Sequence, residues 1–234
     1  MSNTQVWAVV PAAGIGSRML ASRPKQYLAL GDKTVIEHTL SCLASHPKIE
    51  AIVVAVAEDD RWWAELSLDL DCTLYVVTGG VERADSVLQA LVEVAKQTDT
   101  NPWVLVHDAA RPCLRHRDID HMLEQLSVHP VGGILGVPIT ETVKRADAQG
   151  TITDTVSRQG LWRAATPQMF HLNQLKTALE EAHQQNKQVT DDASAMALAG
   201  FQSMMVEGHA DNIKITTPYD LTLANVFLKQ QGRA

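Results

Sequence analysis

The 234-residue sequence lacks several features that would place it in a specialised class of protein. It has no apolar run near the roughly 18 residues that a membrane-spanning helix needs. Its polar N-terminus, residues 1–5, carries no basic group, which argues against a secretory signal peptide. The three cysteines, Cys42, Cys72 and Cys113, are widely spaced and form no CxxC pair, so neither a disulfide framework nor a zinc or redox motif is indicated. We therefore expect a reduced, cytoplasmic protein.

Basic residues are also scarce, since 20 Lys and Arg residues stand against 27 Asp and Glu, for a formal net charge of −7. The sequence contains no run of basic residues, so we do not expect a nucleic-acid-binding surface. With 45% hydrophobic and 20% charged residues, the composition is ordinary for a globular protein and excludes disorder for most of the chain. An acidic protein can still bind a phosphorylated small molecule where a few cations converge, so the positions of those cations matter.

Short β-rich runs alternate with amphipathic stretches along the chain. Residues 51–56 (AIVVAV) are continuously apolar, as strands buried in a parallel sheet are. Residues 34–44 instead place apolar side chains at helical spacing. The alternation predicts an α/β fold, with a Rossmann-like, mostly parallel sheet and helices on both faces. Further strands are predicted at residues 6–11, 73–77, 103–107, 133–137 and 203–207, and further helices at residues 85–95, 119–126, 172–185, 192–198 and 218–229.

Residues 139–161 interrupt this pattern. They contain few large apolar residues, and residues 147–150 resemble a hairpin turn. The segment is too polar for a core, and an isolated two-stranded hairpin is only marginally stable in water. We therefore expect a protruding β-arm that lies against another surface. The length of the chain suits one domain spanning residues 1–234 that carries this arm.

The first predicted strand runs into a glycine-rich loop, PAAGIGSRM, which begins at Pro11. Small residues after a strand allow backbone N–H groups to surround an anion. The loop departs from the dinucleotide fingerprint GxGxxG because Met19 occupies the last glycine position. Arg18 and Lys25 add two cations, which suit a triphosphate better than a pyrophosphate bridge. The pattern favours a nucleoside triphosphate site; the alternative is a turn whose cations are merely solvated.

Three other segments carry candidate polar groups. Asp108 and Arg111 follow a predicted strand in HDAARP, at the strand end where open α/β sheets bind ligands. Asp108 could hold a divalent metal between phosphates, accept from a sugar hydroxyl, or simply cap the next helix. Arg111 could bind a phosphate through its guanidinium fork. Gly79 and Gly80 would permit close approach of a nucleotide base, whereas Lys214, taken alone, is typical of solvated surface.

The chain resembles the 2-C-methyl-D-erythritol 4-phosphate cytidylyltransferases, a family of the non-mevalonate isoprenoid pathway. The resemblance covers nearly the whole chain, and its most specific parts are HDAARP and ADNIKIT. It implies transfer of a cytidylyl group from CTP to methylerythritol phosphate, with release of pyrophosphate. It also implies Mg²⁺ or another divalent cation, and a homodimer whose arms, at residues 139–161, complete shared active sites. The segments that carry it are PAAGIGSRM, PKQY, GGVERADS, LVHDAARP, ETVKR, LWRAATPQ, TDDAS and ADNIKIT.

The same resemblance implies roles for individual residues. No protein nucleophile is needed, because an oxygen of the substrate phosphate attacks the α-phosphorus of CTP. Catalysis then depends on positioning and on cations that stabilise the developing charge. The implied catalytic residues are Arg18, Lys25, Arg158 and Lys214; the nucleotide-binding residues are Ala12, Ala13, Gly14, Gly16, Gly79, Gly80 and Ser86; the substrate-binding residues are Asp108, Arg111, Thr142 and Thr166; and Asp108 is the implied metal ligand.

Alternative functions remain open at this point. An NAD-dependent oxidoreductase is disfavoured by Met19 and by the cations of the first loop. A non-catalytic nucleotide-binding module is disfavoured because it would not explain the presence of Asp108 and several cations. A ribitol-phosphate or other polyol-phosphate cytidylyltransferase would share the loop and the HDxxRP theme, and only the family resemblance argues against it.

Overall fold

Strands and helices alternate along the residues that the computed structural model describes, 6–14 and 23–233. None of the helices within these residues is long and apolar enough to cross a membrane. The strands are β1 (Val6–Pro11), β2 (Ala29–Leu30), β3 (Lys33–Thr34), β4 (Ile49–Val56), β5 (Thr73–Thr78), β6 (Trp103–Val106), β7 (Gly132–Pro138), β8 (Val143–Ala146), β9 (Ile152–Val156), β10 (Trp162–His171) and β11 (Met204–Glu207). The helices are α1 (Val35–Ala44), α2 (Arg83–Gln97), α3 (His116–Leu126), α4 (Leu172–Gln184), α5 (Asp192–Leu198) and α6 (Pro218–Gln230). Short 3₁₀ turns lie at Lys25–Tyr27 and Trp63–Glu65.

The central sheet of the described residues has seven strands in the order β11-β7-β10-β6-β1-β4-β5. β1 pairs in parallel with β4 on one side and with β6 on the other. The pairs β4–β5 and β7–β11 are also parallel, and only β10 runs antiparallel to its neighbours. This arrangement confirms the predicted α/β class with a mostly parallel sheet.

The two faces of β1 pack into two separate core layers. Ala8 and Val10 contact one layer, which α1 and α3 cover, whereas Trp7 and Val9 contact the other, which α2, α4 and α5 cover. Because side chains alternate across a strand, a continuous apolar run fills both layers at once. All four side chains are buried. The helices therefore lie on both faces of the sheet, as the sequence predicts.

Strand β10 is the longest element that the sequence analysis missed; the two-residue strands β2 and β3 were not predicted either. It lies between β6 and β7 in the middle of the sheet although it contains Pro167. Proline cannot donate to a strand ladder, so a central strand that contains one is not expected from sequence. The ladder to β7 is interrupted between Ala164 and Gln168, and the proline sits inside this interruption. The same irregularity turns Thr166 towards the loop after β6, where its side chain contributes to the site described below.

Residues 139–161 form the predicted hairpin. β8 and β9 pair antiparallel, and the turn between them is closed by the Gly150 N–H, which donates to the Asp147 carbonyl at 3.1 Å. At the base of the hairpin, the Ile139 N–H donates to the Leu161 carbonyl at 3.0 Å. Much of the hairpin is exposed, and even the apolar side chain of Ile152 is 62% exposed. The hairpin therefore presents both polar and apolar groups away from the core of its own chain.

The assignment of the core predicts that replacing a leucine by alanine lowers the free energy of unfolding more at a buried position than at an exposed one. Leu105 in β6 is fully buried, so Leu105→Ala should lower the free energy of unfolding by about 2–5 kcal/mol, because the surrounding sheet and helices cannot close the cavity. Leu223 in α6 is 48% exposed, and Leu223→Ala should change the same quantity by only about 0.5 kcal/mol. Urea unfolding of the two variants measures the difference. Equal losses would contradict this assignment of the core.

Candidate functional site

A cleft opens at the carboxyl ends of β1, β5 and β6. Ligands of open α/β sheets bind at this edge, because loops from neighbouring strands converge there. Three of the segments singled out in the sequence meet in the cleft, and parts of two others, near residues 25 and 214, complete its lining. The described lining residues are Pro11, Ala12, Ala13, Gly14, Lys25, Gln26, Gly80, Val81, Glu82, Arg83, Ser86, Asp108, Ala109, Ala110 and Lys214.

Gly79 and Gly80 allow helix α2 to approach the loop after β1. A Cβ atom on Gly79 would lie 2.7 Å from Oγ of Ser86 and 2.8 Å from Cβ of Ala13. A Cβ atom on Gly80 would lie 2.2 Å from Cβ of Asp85. The buried Ser86 hydroxyl oxygen accepts from the Gly80 N–H at 3.2 Å, which ties the turn to the helix. The glycines thus have a packing role, and their predicted contact with a nucleotide stays a prediction.

Gln26 holds the described part of the first loop in place. Its Nε2 donates to the carbonyl of Ala12 at 2.7 Å and to that of Gly14 at 3.1 Å, and the side chain is buried. Sequence reasoning did not select Gln26, because an amide in PKQY gives no sign of its distant partners. Gly16 and Arg18, predicted to bind nucleotide and to catalyse, lie outside the described residues, so their roles stay predictions.

Two lysines bring their ammonium groups to the cleft. Nζ of Lys25 donates to the Ile215 carbonyl at 2.9 Å, and Nζ of Lys214 lies 2.9 Å from Oδ2 of Asp108. Residues 25 and 214 are far apart in the chain, so only the fold places them in one lining. Two predicted catalytic cations therefore do come together. Lys214 is not the solvated surface residue that its local sequence alone suggests.

Asp108 lies at the centre of an ionic cluster. Its carboxylate is 6% exposed, and Oδ1 accepts from Nε of Arg83 at 3.0 Å. Oδ2 lies 2.9 Å from Nζ of Lys214 and 3.4 Å from Nε of Arg111. Burial alone would raise the pKa of Asp108, but the three cations hold it well below its usual range, so the carboxylate is ionised. The helix that follows begins at His116, so the alternative that Asp108 caps it is excluded.

His107 and Thr166 fix the backbone at Asp108. Nε2 of His107 lies 3.0 Å from the Arg111 carbonyl, which can only accept, so Nε2 carries the proton. Nδ1 therefore accepts from the Thr166 hydroxyl at 3.1 Å, and the Thr166 oxygen accepts from the Asp108 N–H at 3.0 Å. Burial lowers the pKa of His107 to about 4, so the imidazole is neutral at pH 7. The predicted residue Thr166 thus acts on the backbone at Asp108.

Arg83 is a site residue that sequence reasoning missed. It is the first residue of α2, and besides its contact to Asp108 it donates from Nη1 and Nη2 to the two oxygens of Asp192, at 3.2 and 2.9 Å. The only sequence signal was that Arg83 and Asp192 fall within GGVERADS and TDDAS. A pairing over 109 positions cannot be read from either segment.

A second pocket adjoins the cleft, and Lys214 belongs to both linings. Arg111, Arg163 and His209 line it together with small residues of β7 and β10. Nη1 of Arg111 donates to the Asn212 carbonyl at 2.9 Å, which links this pocket to the segment that carries Lys214. Cations beside backbone groups suit a small molecule that carries a phosphate and hydroxyls. Arg163 and His209 were not among the predicted residues.

Thr142 and Arg158 lie on the hairpin and belong to neither lining of their own chain. Thr142 is exposed just before β8, and Arg158 is exposed just after β9 and donates to the carbonyl of Thr140. Neither is among the described residues that line the cleft or the second pocket. The single chain therefore does not bring these two predicted residues to the others.

A metal ion would find few protein ligands here. Within the described part of the chain, no group of three or more His, Cys, Asp or Glu side chains could hold one. Asp108 is an ionised carboxylate of the lining, but both of its oxygens already contact cations. These donors fit a divalent cation whose other ligands are the phosphates of a nucleotide, and the metal-ligand role of Asp108 stays a prediction.

Comparisons with known proteins find similar sequences and similar folds that share one enzyme name. The family model described as 2-C-methyl-D-erythritol 4-phosphate cytidylyltransferase matches residues 6–230. The enzyme of that name from Shewanella piezotolerans is 52% identical over 232 residues, covering 99% of each chain. The one from Vibrio vulnificus is 50% identical over 230 residues, covering 98% of this chain and 97% of that protein. The crystal structure of the Francisella tularensis enzyme superposes with a TM-score of 0.82 at 36% identity, covering 96% of this chain and all of that one.

The neutral His107 predicts a pH dependence of stability. Its folded pKa of about 4 lies below the ordinary 6.5, so the unfolded chain binds more protons between these values and stability is lost as the pH falls through this range. Between pH 7 and pH 4.5 this should remove about 2–3 kcal/mol from the wild type. The variant His107→Asn should lose correspondingly less over the same interval. Urea unfolding at both pH values tests this, and identical losses in the two proteins would contradict it.

Proposed function

The chain belongs to the 2-C-methyl-D-erythritol 4-phosphate cytidylyltransferase family, and on this basis we propose how its cleft performs that reaction. The enzyme transfers a cytidylyl group from CTP to 2-C-methyl-D-erythritol 4-phosphate, in isoprenoid biosynthesis. The products are 4-diphosphocytidyl-2-C-methyl-D-erythritol and pyrophosphate. The observation that best supports a mechanism is the position of Lys214, which lines both the cleft and the adjoining pocket.

The chemistry requires two polyanions to meet. An oxygen of the methylerythritol phosphate attacks the α-phosphorus of CTP in line, and pyrophosphate leaves from the opposite side. The substrate phosphate is itself the nucleophile, so the protein contributes position and positive charge. Lys25 and Lys214 supply that charge in the cleft, and we expect Arg18 to add a third cation. Lys214 is suited to the junction of the two substrates because it borders both pockets.

We assign the cleft to CTP. Small residues at the ends of β1 and β5 line the cleft and keep the main chain close to its wall, which favours recognition of the cytosine base by main-chain N–H and carbonyl groups. Uracil lacks the exocyclic amine that a carbonyl would accept from, so these groups would disfavour UTP. The proposed nucleotide-binding residues are Ala12, Ala13, Gly14, Gly16, Gly79, Gly80 and Ser86.

We assign the second pocket to methylerythritol phosphate. Arg111 lines it and can bind phosphate or hydroxyl oxygens, while Asp108, at its border with the cleft, can accept from a hydroxyl. The Thr166 hydroxyl oxygen accepts from the Asp108 N–H and so holds the backbone that carries the Asp108 side chain. Mg²⁺, or another divalent cation bound with CTP, would neutralise part of the negative charge of the phosphates. Asp108 is the lining residue that we propose to share the binding of this cation with the nucleotide.

The domain organisation and the cellular compartment of the enzyme are also part of the proposal. We propose one nucleotidyltransferase domain over residues 1–234, with a dimerisation arm at residues 139–161. The three cysteines are unpaired, which is consistent with a reduced, cytoplasmic compartment. Cys42 and Cys113 are buried, and burial raises the pKa of both thiols, so they are unreactive at neutral pH.

Substrate competition tests the proposed reaction. With CTP, Mg²⁺ and methylerythritol phosphate, the wild type should release pyrophosphate and form the CDP-alcohol. Ribitol phosphate should be used at least about tenfold less well, since a site that hydrogen-bonds one polyol loses contacts with another. Coupled detection of pyrophosphate and chromatography of the product measure both. Equal use of the two phosphopolyols would favour the polyol-phosphate alternative, and activity in excess EDTA would exclude the divalent cation.

We propose that the enzyme is a homodimer with shared active sites. The hairpin is exposed, and Thr142 and Arg158 on it do not line the pockets of their own chain. A two-fold arrangement would allow each arm to complete the partner's site, and both sites would then be built alike. Thr142 and Arg158 would contact the phosphopolyol there, while Lys25, Asp108 and Lys214 act within their own chain.

Subunit mixing tests this arrangement. Lys25→Ala and Arg158→Ala should each lower kcat by on the order of 10²–10³, because each removes a cation that meets the developing charge. In a mixed dimer with shared sites, one site carries both lesions and the other carries none, so mixing should restore up to half of the wild-type activity per mixed dimer. Native mass spectrometry must confirm subunit exchange. With exchange confirmed, a mixture that regains no activity would show that each site is built from one chain.

A further inference from the structure

We propose that Asp192 is a positioning residue for cytidylyl transfer, acting through Arg83 to hold Asp108 in the orientation that anchors Lys214. The inference rests on the proposed function, because Lys214 is placed there at the junction of the two substrates. Asp192 does not line the cleft or the second pocket, so it would act entirely through its neighbours.

Asp192 is a buried carboxylate with a single kind of partner. It is fully buried, and both of its oxygens accept from Arg83, while the described residues supply no further donor to it. Burial and the neighbouring carboxylates of Asp108 and Asp191 raise the pKa of Asp192 against the lowering effect of the Arg83 guanidinium, while a fork that engages both oxygens fits the ionised form. Burying a carboxylate costs several kcal/mol unless it is paired and hydrogen-bonded. Its environment therefore directs Asp192 to Arg83 alone.

The helix itself does not need Asp192. The N-cap of α5 is Asp191, whose Oδ1 accepts from the Ser194 N–H at 2.9 Å, and whose Oδ2 accepts from Gln168 at 3.0 Å. Asp192 is the next residue and points its carboxylate to Arg83 instead. Two adjacent aspartates of one helix start thus have separate tasks. This difference provides a matched control within the same segment.

The geometry of Arg83 transmits the constraint. A guanidinium group is planar and rigid, so fixing two of its donors fixes the direction of the third. Nη1 and Nη2 are fixed by Asp192, which leaves Nε to donate to Oδ1 of Asp108 at 3.0 Å. With Oδ1 engaged, Oδ2 remains for Nζ of Lys214 at 2.9 Å, beside the longer contact of 3.4 Å to Nε of Arg111. The order of contact is Asp192, Arg83, Asp108 and Lys214.

Without the charge of Asp192, Arg83 would be free to bind Asp108 with its fork. That arrangement would occupy both Asp108 oxygens and compete with Lys214 for Oδ2. Two other roles make different predictions. Arg83 lines the cleft, so it could contact CTP directly, in which case Asp192 would tune CTP affinity. Alternatively, the pair could only fasten α5 to α2, in which case it would affect stability and not turnover.

The test compares Asp192→Asn with Asp191→Asn. Both remove one negative charge from the start of α5, and asparagine remains an acceptable residue at both positions. Asp192→Asn should lower kcat by about tenfold or more, because misplacing Lys214 weakens only the transition state, while KM for CTP changes by less than about threefold. Asp191→Asn should leave kcat within about twofold of the wild type. Circular dichroism and thermal unfolding of both variants establish that they are folded.

Arg83→Lys provides an independent variant. Lysine keeps the charge but cannot hold Asp192 with a fork and donate to Asp108 at a fixed angle, so kcat should fall as in Asp192→Asn. If Asp192 acts through Arg83, the double variant should be no slower than the slower single variant. A double variant whose loss of kcat equals the product of the two single losses would overturn the proposal. So would raised KM for CTP at unchanged kcat, which would assign Arg83 to direct nucleotide binding.

The wild type, measured in the same assay, separates this inference from the proposed function. A wild type that releases no pyrophosphate from CTP and methylerythritol phosphate would refute the proposed function. An active wild type whose Asp192→Asn and Arg83→Lys variants keep full kcat would refute only the positioning role. If Asp192→Asn fails to fold, Arg83→Lys alone decides, because that variant still pairs the buried charge of Asp192 with a cation. A lower kcat at unchanged KM for CTP supports the positioning role, and a raised KM at unchanged kcat contradicts it.

Discussion

The buried carboxylate of Asp108 is the constraint on which the site depends. A carboxylate away from water is costly unless cations and donors surround it. Here the compensation comes from Arg83 at the start of α2, Arg111 in the same loop, and Lys214 near the C-terminal helix. Because each cation belongs to a different part of the chain, satisfying one charge also fixes how these parts meet. The contacts of Asp108 therefore fix the relative positions of three segments that line the cleft and the adjoining pocket.

The local charge of the site is the opposite of the charge of the chain. The sequence carries a net charge of −7, yet the cluster places Arg83, Arg111 and Lys214 against only two carboxylates, Asp108 and Asp192. Lys25 adds a further positive charge in the lining. The two polyanionic substrates of the proposed reaction would thus meet a positive surface on an acidic protein. The net charge of the whole chain argues against a nucleic-acid partner, but it gives no information about this small region.

The sequence predicted features with a local cause and missed those with a distant one. Strand and helix alternation and the hairpin turn follow from neighbouring residues, and the structure agrees with them. β10 was missed because Pro167 argues against a central strand, and only its broken ladder to β7 accommodates the proline. Arg83 and Asp192 were missed because their partnership exists only in the folded chain. The motifs GGVERADS and TDDAS indicated that these segments matter, but they did not show which of their side chains would form contacts.

Two different kinds of interaction hold Asp108, and this division has a chemical consequence. Its backbone is fixed by neutral hydrogen bonds through Thr166 and His107, whereas its side chain is fixed by ions. In the proposed mechanism Lys214 contacts both Asp108 and a phosphate, so substrates that carry several charges would compete with the side-chain contacts. They have much less effect on a buried network of uncharged groups. The backbone can therefore stay in place while the ionic contacts rearrange during turnover. A site that handles highly charged substrates needs this separation, because a position held only by charge would move whenever the charges changed.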